Sequence, residues 1–213
     1  MRFDHEINQL QKLDQKLFLL INSREVNIVD IETKTIDLKI EFSEHNITSI
    51  LATSDSLFFG DTSNNLYHVK KADMFKDDPK TPALKKQRLV SHEGWILFMF
   101  VWEDMLYTCS DDSTIKVWHL PTLKIVDELV GHRNGVTCMT VANDHFYSGS
   151  YDLTIRSWNL SEMKERIKFR EILRKEEEYS IKAETYQTVL DAKKKKKKTK
   201  KSSKSKSPSK KKK

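Results

Sequence analysis

Two sets of residues in this chain carry groups that could do chemistry together. His92, Ser110, Asp112, Thr114, Ile115 and Trp118 return forty positions later as His132, Ser150, Asp152, Thr154, Ile155 and Trp158. A hydroxyl, an imidazole and a carboxylate are the parts of a hydrolytic triad, in which the imidazole takes the hydroxyl proton and the carboxylate orients the ring. Such a nucleophile needs an exposed hydroxyl with oxyanion donors beside it. No G-x-S-x-G elbow occurs, and Ser148 falls inside the strand-like run HFYSGS. The chain is therefore not expected to be an enzyme, and no residue is assigned a catalytic role. Cys109 and Cys138 lack metal-ligand spacing and read as reduced core residues of strands. The remaining histidines are scattered, and no Walker loop, G-x-G-x-x-G or H-E-x-x-H is present. Neither a metal nor a cofactor is expected.

The fixed period matters more than any one residue in it, because self-similarity at about 40 residues marks a repeat architecture. In the last copy Val136, Cys138 and Thr140 alternate with Thr137 and Met139. Ala142, Asn143 and Asp144 then supply turn residues, and the strands HFYSGS and TIRSW come next. These strands carry apolar residues on both faces, which fits sheets stacked between neighbours. Two fainter copies come first. Ile47, Gly60, Ser63, Leu66 and Val69 align with Val136, Gly149, Asp152, Ile155 and Trp158, while Leu17, Phe18, Val26 and Val29 fit the same template. Units begin near Ile7, Ile47, Ile96 and Val136, and the stretch KKADMFKDDPKTPALKKQ between the second and third suits a surface loop.

The segment from Gly131-His132 through SGSYDLTIRSW to Asn159 resembles the WD-repeat family. The preceding copy departs from the family in two places: Ser91 replaces the glycine before His92, and His119 follows Trp118 where the family prefers Asp. Asp30 keeps that final Asp slot in the first unit. The resemblance implies an all-β body of β-propeller-type blades within residues 1–160, about four of them (5–40, 45–90, 91–130 and 131–160), in an incomplete or open ring. It also implies that His92, Thr108, Asp112 and Trp118 form a buried hydrogen-bonded chain that fastens one blade, and that His132, Ser148, Asp152 and Trp158 fasten the next. Stability is then expected to be concentrated in residues 90–160. Family members are mostly platforms for other proteins, so the expected function is a non-catalytic intracellular scaffold for protein–protein interactions. A WD-repeat ring usually has about seven blades. Four would need a homodimer, a propeller-completing partner or a capping helix, or would belong to part of a longer product. Trp95, Trp102 and Tyr151 lie near loops as candidate anchors, although Trp102 and Phe98 suit the core better.

Beyond the repeats, residues 161–192 lack Gly and Pro and are rich in Glu, Lys, Arg and Leu. They read as a helix capped by Ser161, or as two helices joined near Glu178-Tyr179-Ser180. No a/d pattern persists over three heptads, which argues against a coiled coil. Residues 193–213 hold 14 lysines and no acid, so the rest of the chain has 24 Lys and Arg against 31 Asp and Glu, a net charge of −7. This Lys-rich tail is expected to be disordered. Its run of Lys193, Lys194, Lys195, Lys196, Lys197, Lys198, Lys200 and Lys201 is a candidate for non-specific attraction to a polyanion (RNA, tubulin tails or acidic lipid) or for targeting. Ser207, before Pro208, is a candidate phosphosite. The alternative function is accordingly an RNA- or ribosome-associated assembly factor that binds nucleic acid through the tail. MRFDHEINQL holds no apolar signal region, and the run WILFMFVW is too short to span a bilayer. An intracellular protein without a transmembrane segment is expected, cytoplasmic, nuclear or cytoskeletal.

Overall fold

A computed structural model of the chain describes the backbone of residues 2–42, 44–74, 86–89 and 92–204. Side chains are described as far as residue 185, save residues 180 and 183. Alternating apolar residues and short polar turns produce four antiparallel meanders. β1 (Ile7–Leu13), β2 (Lys16–Ile21), β3 (Glu25–Asp30) and β4 (Ile36–Glu41) form the first sheet, and β5 (Ile47–Ala52), β6 (Ser56–Asp61), β7 (Leu66–Lys70) and β8 (Gln87–Leu89) the second. β9 (Ile96–Trp102), β10 (Met105–Ser110), β11 (Thr114–His119) and β12 (Lys124–Val130) form the third. The fourth has three strands, β13 (Val136–Ala142), β14 (His145–Ser150) and β15 (Ile155–Asn159). Each leading strand carries a register shift near its start, at Ile7/Gln9, Ile47/Ser49, opposite Cys109/Ser110 and at Val136/Cys138. The repeat thus extends to a shared bulge, which bends the strand and increases its twist.

Successive sheets stack face to face through their leading strands: β1 and β2 on β5, β5 and β6 on β9, β9 and β10 on β13. Among the described residues no comparable packing joins the fourth sheet to the first, so the arrangement is open. Between the first two sheets Phe18, Val26 and Ile28 meet Ile50, Leu57, Phe59 and Val69. Between the second and third, Leu51, Phe58 and Leu66 meet Ile96, Met99, Leu106 and Trp118. The approach is close enough that a Cβ on Gly60 would lie 2.9 Å from that of Ile96. Polar bonds add to this packing. Gln9 and Gln11 each grip the unpaired edge of β5, accepting from the amides of Ile50 and Ala52 and donating to their carbonyls at 2.6–2.8 Å.

Several expectations change. The charged insert is not all surface loop: Lys71–Met74 form the short helix α1, and Met74, 3% exposed, plugs the core between the first two sheets. Residues 75–85 of that insert lie outside the described residues. Cys109 is buried as expected, but Cys138 is exposed, because it faces outward from the last sheet. Trp102, at the end of β9, is 39% exposed rather than core.

The fourth sheet ends differently because β15 runs directly into one helix, α2 (Leu160–Lys204). Its cap is Asn159, not Ser161: Asn159 Oδ1 accepts from the amide of Glu162 at 3.1 Å. Asn159 holds the slot of Asp30, whose Oδ1 accepts from the amides of Glu32 and Thr33 at 2.9 Å to start the β3–β4 turn. The same device opens a turn in one blade and a helix in the other. The helix-favouring sequence SEMKERI then takes over where a fourth strand would return, with Leu160 and Met163 buried. The chain divides into two compact units, Met1–Lys164 and Glu165–Lys213. In the second, the helical backbone continues through the first lysines of the tail to Lys204. Ser207 lies outside the described residues, as do the side chains of Lys193 to Lys201.

The β3–β4 turn contains a non-glycine residue in the left-handed region, Lys34, with φ 56° and an exposed side chain. That conformation costs an L-residue about 1–2 kcal/mol, less for asparagine. Lys34→Asn is expected to raise the midpoint of thermal unfolding by roughly 2–4 °C. An unchanged or lower midpoint would show that the turn stores no strain.

Candidate functional site

In the third sheet the residues of the repeated phrase converge from four separate segments. His92 precedes β9, Thr108 lies within β10, Asp112 sits in the β10–β11 turn and Trp118 lies on β11. His92 donates from Nδ1 to Asp112 Oδ2 at 2.8 Å, and its Nε2 accepts from the Thr108 hydroxyl at 2.7 Å. Trp118 Nε1 donates to Thr108 Oγ1 at 3.0 Å. The hydroxyl therefore gives one bond and takes one, and the imidazole does the same in the one tautomer that fits both partners. The His92 side chain is wholly covered.

The fourth sheet repeats this arrangement. His132 donates to Asp152 at 2.8 Å and accepts from Ser148 at 2.9 Å, while Trp158 donates to Ser148 at 2.9 Å. In both sheets the carboxylate has further work. Asp112 Oδ2 accepts from the amide of Glu93, and its Oδ1 accepts from the amide and hydroxyl of Thr114. Asp152 receives the same three bonds from Arg133 and Thr154. Thr114 and Thr154 belong to the repeated phrase, yet sequence reasoning gave them no role. Their recurrence was the signal, and the second clamp on the carboxylate is the reason.

Among their described residues the first two sheets hold no such chain. Counted from the start of each leading strand, the hydroxyl position is Leu19 in the first and Phe59 in the second, and the Trp position is Val29 and Val69. Leu19 and Val29 cluster with Ile21, Phe3 and Leu17, where Phe3 stands in the histidine position. Phe59 packs against Phe42 and Tyr67, with ring centroids 4.7 and 5.0 Å away. Replacing every partner of a polar set by apolar groups leaves nothing unpaired, so the exchange costs little. The degenerate units are thus fastened by apolar packing at the same positions. In the second sheet Asp61, two residues before the expected turn position, accepts from the amides of Ser63 and Asn65 at 2.9 and 3.0 Å.

The groups of both assemblies are covered: the side chains of His92 and His132 are 0% and 1% exposed, and those of Asp112 and Asp152 13% and 7%. Among the described residues no three His, Cys, Asp or Glu stand together as a metal site. No described helix is long and apolar enough to cross a membrane. Of the candidate anchors, Trp95 is 49% and Tyr151 60% exposed, and Trp95 spends its indole N–H on the Thr62 carbonyl at 3.0 Å.

Burial would push the Asp112 carboxyl up, but bonds from His92 and Thr114 hold it well below the ordinary carboxylate range. Asp152 is lowered too, chiefly by the Thr154 hydroxyl, with the Arg133 amide and His132 adding to it against burial. A carboxyl lowered on folding stabilises the fold fully above its unfolded pKa near 3.9, and that contribution is lost as pH falls through the folded value. Acid unfolding below about pH 4 is expected to soften in Asp112→Asn relative to the parent; an unchanged acid limb would remove Asp112 from the account. Thr108→Val leaves the Trp118 N–H and His92 Nε2 without partners, at about 1–3 kcal/mol each. Leu19→Ala empties part of the first sheet's apolar cluster for about 2–5 kcal/mol. Denaturant titration should find the two losses comparable, whereas a loss only at Thr108 would place stability in the last two sheets alone.

The family model for the WD domain, G-beta repeat, matches residues 85–119 and 123–159. Among solved structures, the chain is similar to the computationally designed Ika4 protein at TM-score 0.60 and 17% identity, covering 75% of this chain and 94% of that one. It is similar to U3-55K at TM-score 0.63 and 16% identity, covering 76% of this chain and 51% of that one. For the RRP9 WD40 repeats the values are 0.64, 16%, 76% and 50%. At these identities the likeness is one of fold, and this chain spans about half the length of the last two. Comparison with curated proteins found no match. The repeated phrase, the blades it folds into and the matching repeat model agree that the chain carries WD40 repeats at residues 85–119 and 123–159.

Proposed function

We propose that this chain is a non-catalytic scaffold that works inside the cell, holding other proteins on the rims and faces of its blades, with the lysine-rich tail as tether or address. WD40 domains are usually non-catalytic and generally bind proteins. The observation that carries the reading is that both polar chains are spent inside the fold: in each, the hydroxyl, imidazole, carboxylate and indole bond to one another. What remains for function is surface. Trp95 and Tyr151 supply amphipathic contact area of the kind that anchors interfaces. The open ring is completed by another chain, since uncovered sheet faces and edges invite association.

The tail supports a second reading, an RNA- or ribosome-associated assembly factor. Its 14 lysines with no acid among residues 193–213 favour RNA, tubulin's acidic tails or acidic lipid. Having neither arginine nor an aromatic residue, the tail offers no bidentate base contact and no stacking platform, so its attraction is non-specific. In the scaffold reading the protein resides in the cytoplasm, or reaches the nucleus or cytoskeleton by the tail, and a phosphate on Ser207 would subtract up to about two charges and loosen the tether.

Capture of partners from the native cell by the full chain and by a variant lacking residues 193–213 separates the two. The scaffold reading expects the variant to keep its protein partners and to lose only a polyanion contact that also weakens between about 50 and 200 mM salt. If the deletion removes RNA and the protein partners together, the assembly-factor reading replaces it.

A further inference from the structure

The three junctions inside the chain bury the same positions of each blade against the next. Phe18, Phe58 and Tyr107, eleven residues after the start of their leading strands, are covered, and Val26, Leu66 and Ile115, eight residues further on, are each 0% exposed. The fourth blade keeps both side chains, Tyr147 and Ile155, but Ile155 is 79% exposed and Tyr147 only half-buried. This blade ends after three strands, where β15 runs into α2. The adjacent turn points the same way. In the second blade Asn64 donates to the Glu93 carbonyl at 3.0 Å, and Thr62 accepts from Trp95, both across the junction to the third. The matching residues of the fourth blade are Leu153, 96% exposed at φ 65°, and Tyr151. A leucine bared to water leaves its apolar surface uncovered unless something packs on it.

The front of the first blade is the counterpart. Ile47, Ile96 and Val136 open the other leading strands at 3%, 0% and 0% exposure, whereas Ile7 is 43% exposed. Three residues on, Ile50, Met99 and Met139 are 0%, 2% and 7% exposed, and Leu10 is 57%. The first blade has the side chains of a covered front, and the fourth those of a covered back.

We infer that the back of the fourth blade packs on the front of the first blade of a second copy of this chain, and that the second copy returns the contact, so that two chains close one ring of eight blades. This rests on the proposed function, in which the open ring is completed by another chain. A second copy is favoured over a different protein because the ring needs one front and one back, and this chain already carries both. Three strands of about six residues at the usual spacing and rise present a face of roughly 300 Å². The four faces of a closed pair reach about 1,200 Å², the lower bound of stable interfaces. Such head-to-tail contacts form a ring when the rotation closes and a filament when it does not.

Size-exclusion chromatography with light scattering on the full chain at micromolar concentration tests this. The parent should have twice the 25.0 kDa mass of one chain. Ile155→Asp and Leu10→Asp each place a charge on an already exposed site, so each should stay folded by circular dichroism yet run as a monomer. A 1:1 mixture of the two variants leaves one junction wholly native and should recover dimer, which only front-to-back pairing explains. A folded monomeric parent, a dimer that survives both substitutions, or an open series of larger species would overturn the closed pair. A monomeric parent that captures a different blade-bearing protein would overturn the second copy while leaving the completed ring.

Discussion

A sheet that is apolar on both faces cannot stand alone in water, and every other feature of this protein depends on that constraint. The leading strands of the blades pair with no described strand on their inner edge, and the sheets bury their faces by stacking. The first two junctions therefore combine apolar interdigitation with a small number of polar grips on backbone. Gln9 and Gln11 hold Ile50 and Ala52, and Thr48 and Ser49 both donate to the Ile96 carbonyl at 2.8 Å. Such grips satisfy groups that a stacked edge strand would otherwise bury unpaired.

Within each blade the loop before the leading strand must be fixed to the turn between the second and third strands. Two chemistries do this at one set of positions. In the third and fourth blades a carboxylate, an imidazole, a hydroxyl and an indole pass hydrogen bonds inward, each group with a defined partner. In the first and second, Phe3, Leu19 and Val29, and Phe59 with Val69, occupy the space with side chains that need no partner. A polar chain is specific but fragile, since losing one member strands the next. An apolar cluster tolerates change and leaves little trace in a sequence.

The end of the fourth blade shows how small a difference redirects the chain. A side-chain oxygen after the third strand captures amides two or three residues on, and the residues beyond that cap decide the outcome. Asp30 leads into a short turn and a returning strand, Asn159 into a run of strong helix formers. The missing outer strand is thus a consequence of local propensity acting on a shared cap.

The sequence alone determined the repeat, and its resemblance to the WD-repeat family implied about four blades and both polar chains, because His92, Asp112 and Trp118 recur with their spacing intact, and buried hydrogen-bonding groups allow no drift in type or position. It also placed Ser148 within a strand, and the structure shows its hydroxyl bonded to His132 and to the Trp158 indole. Only the tertiary structure decided how the degenerate blades are held, that Met74 belongs to a core, and that Cys138, Tyr147 and Ile155 face outward. Apolar packing is set by volume and neighbours rather than by identity, so one isoleucine at Ile115 and another at Ile155 look alike in the chain. They differ only in whether a further sheet lies against them.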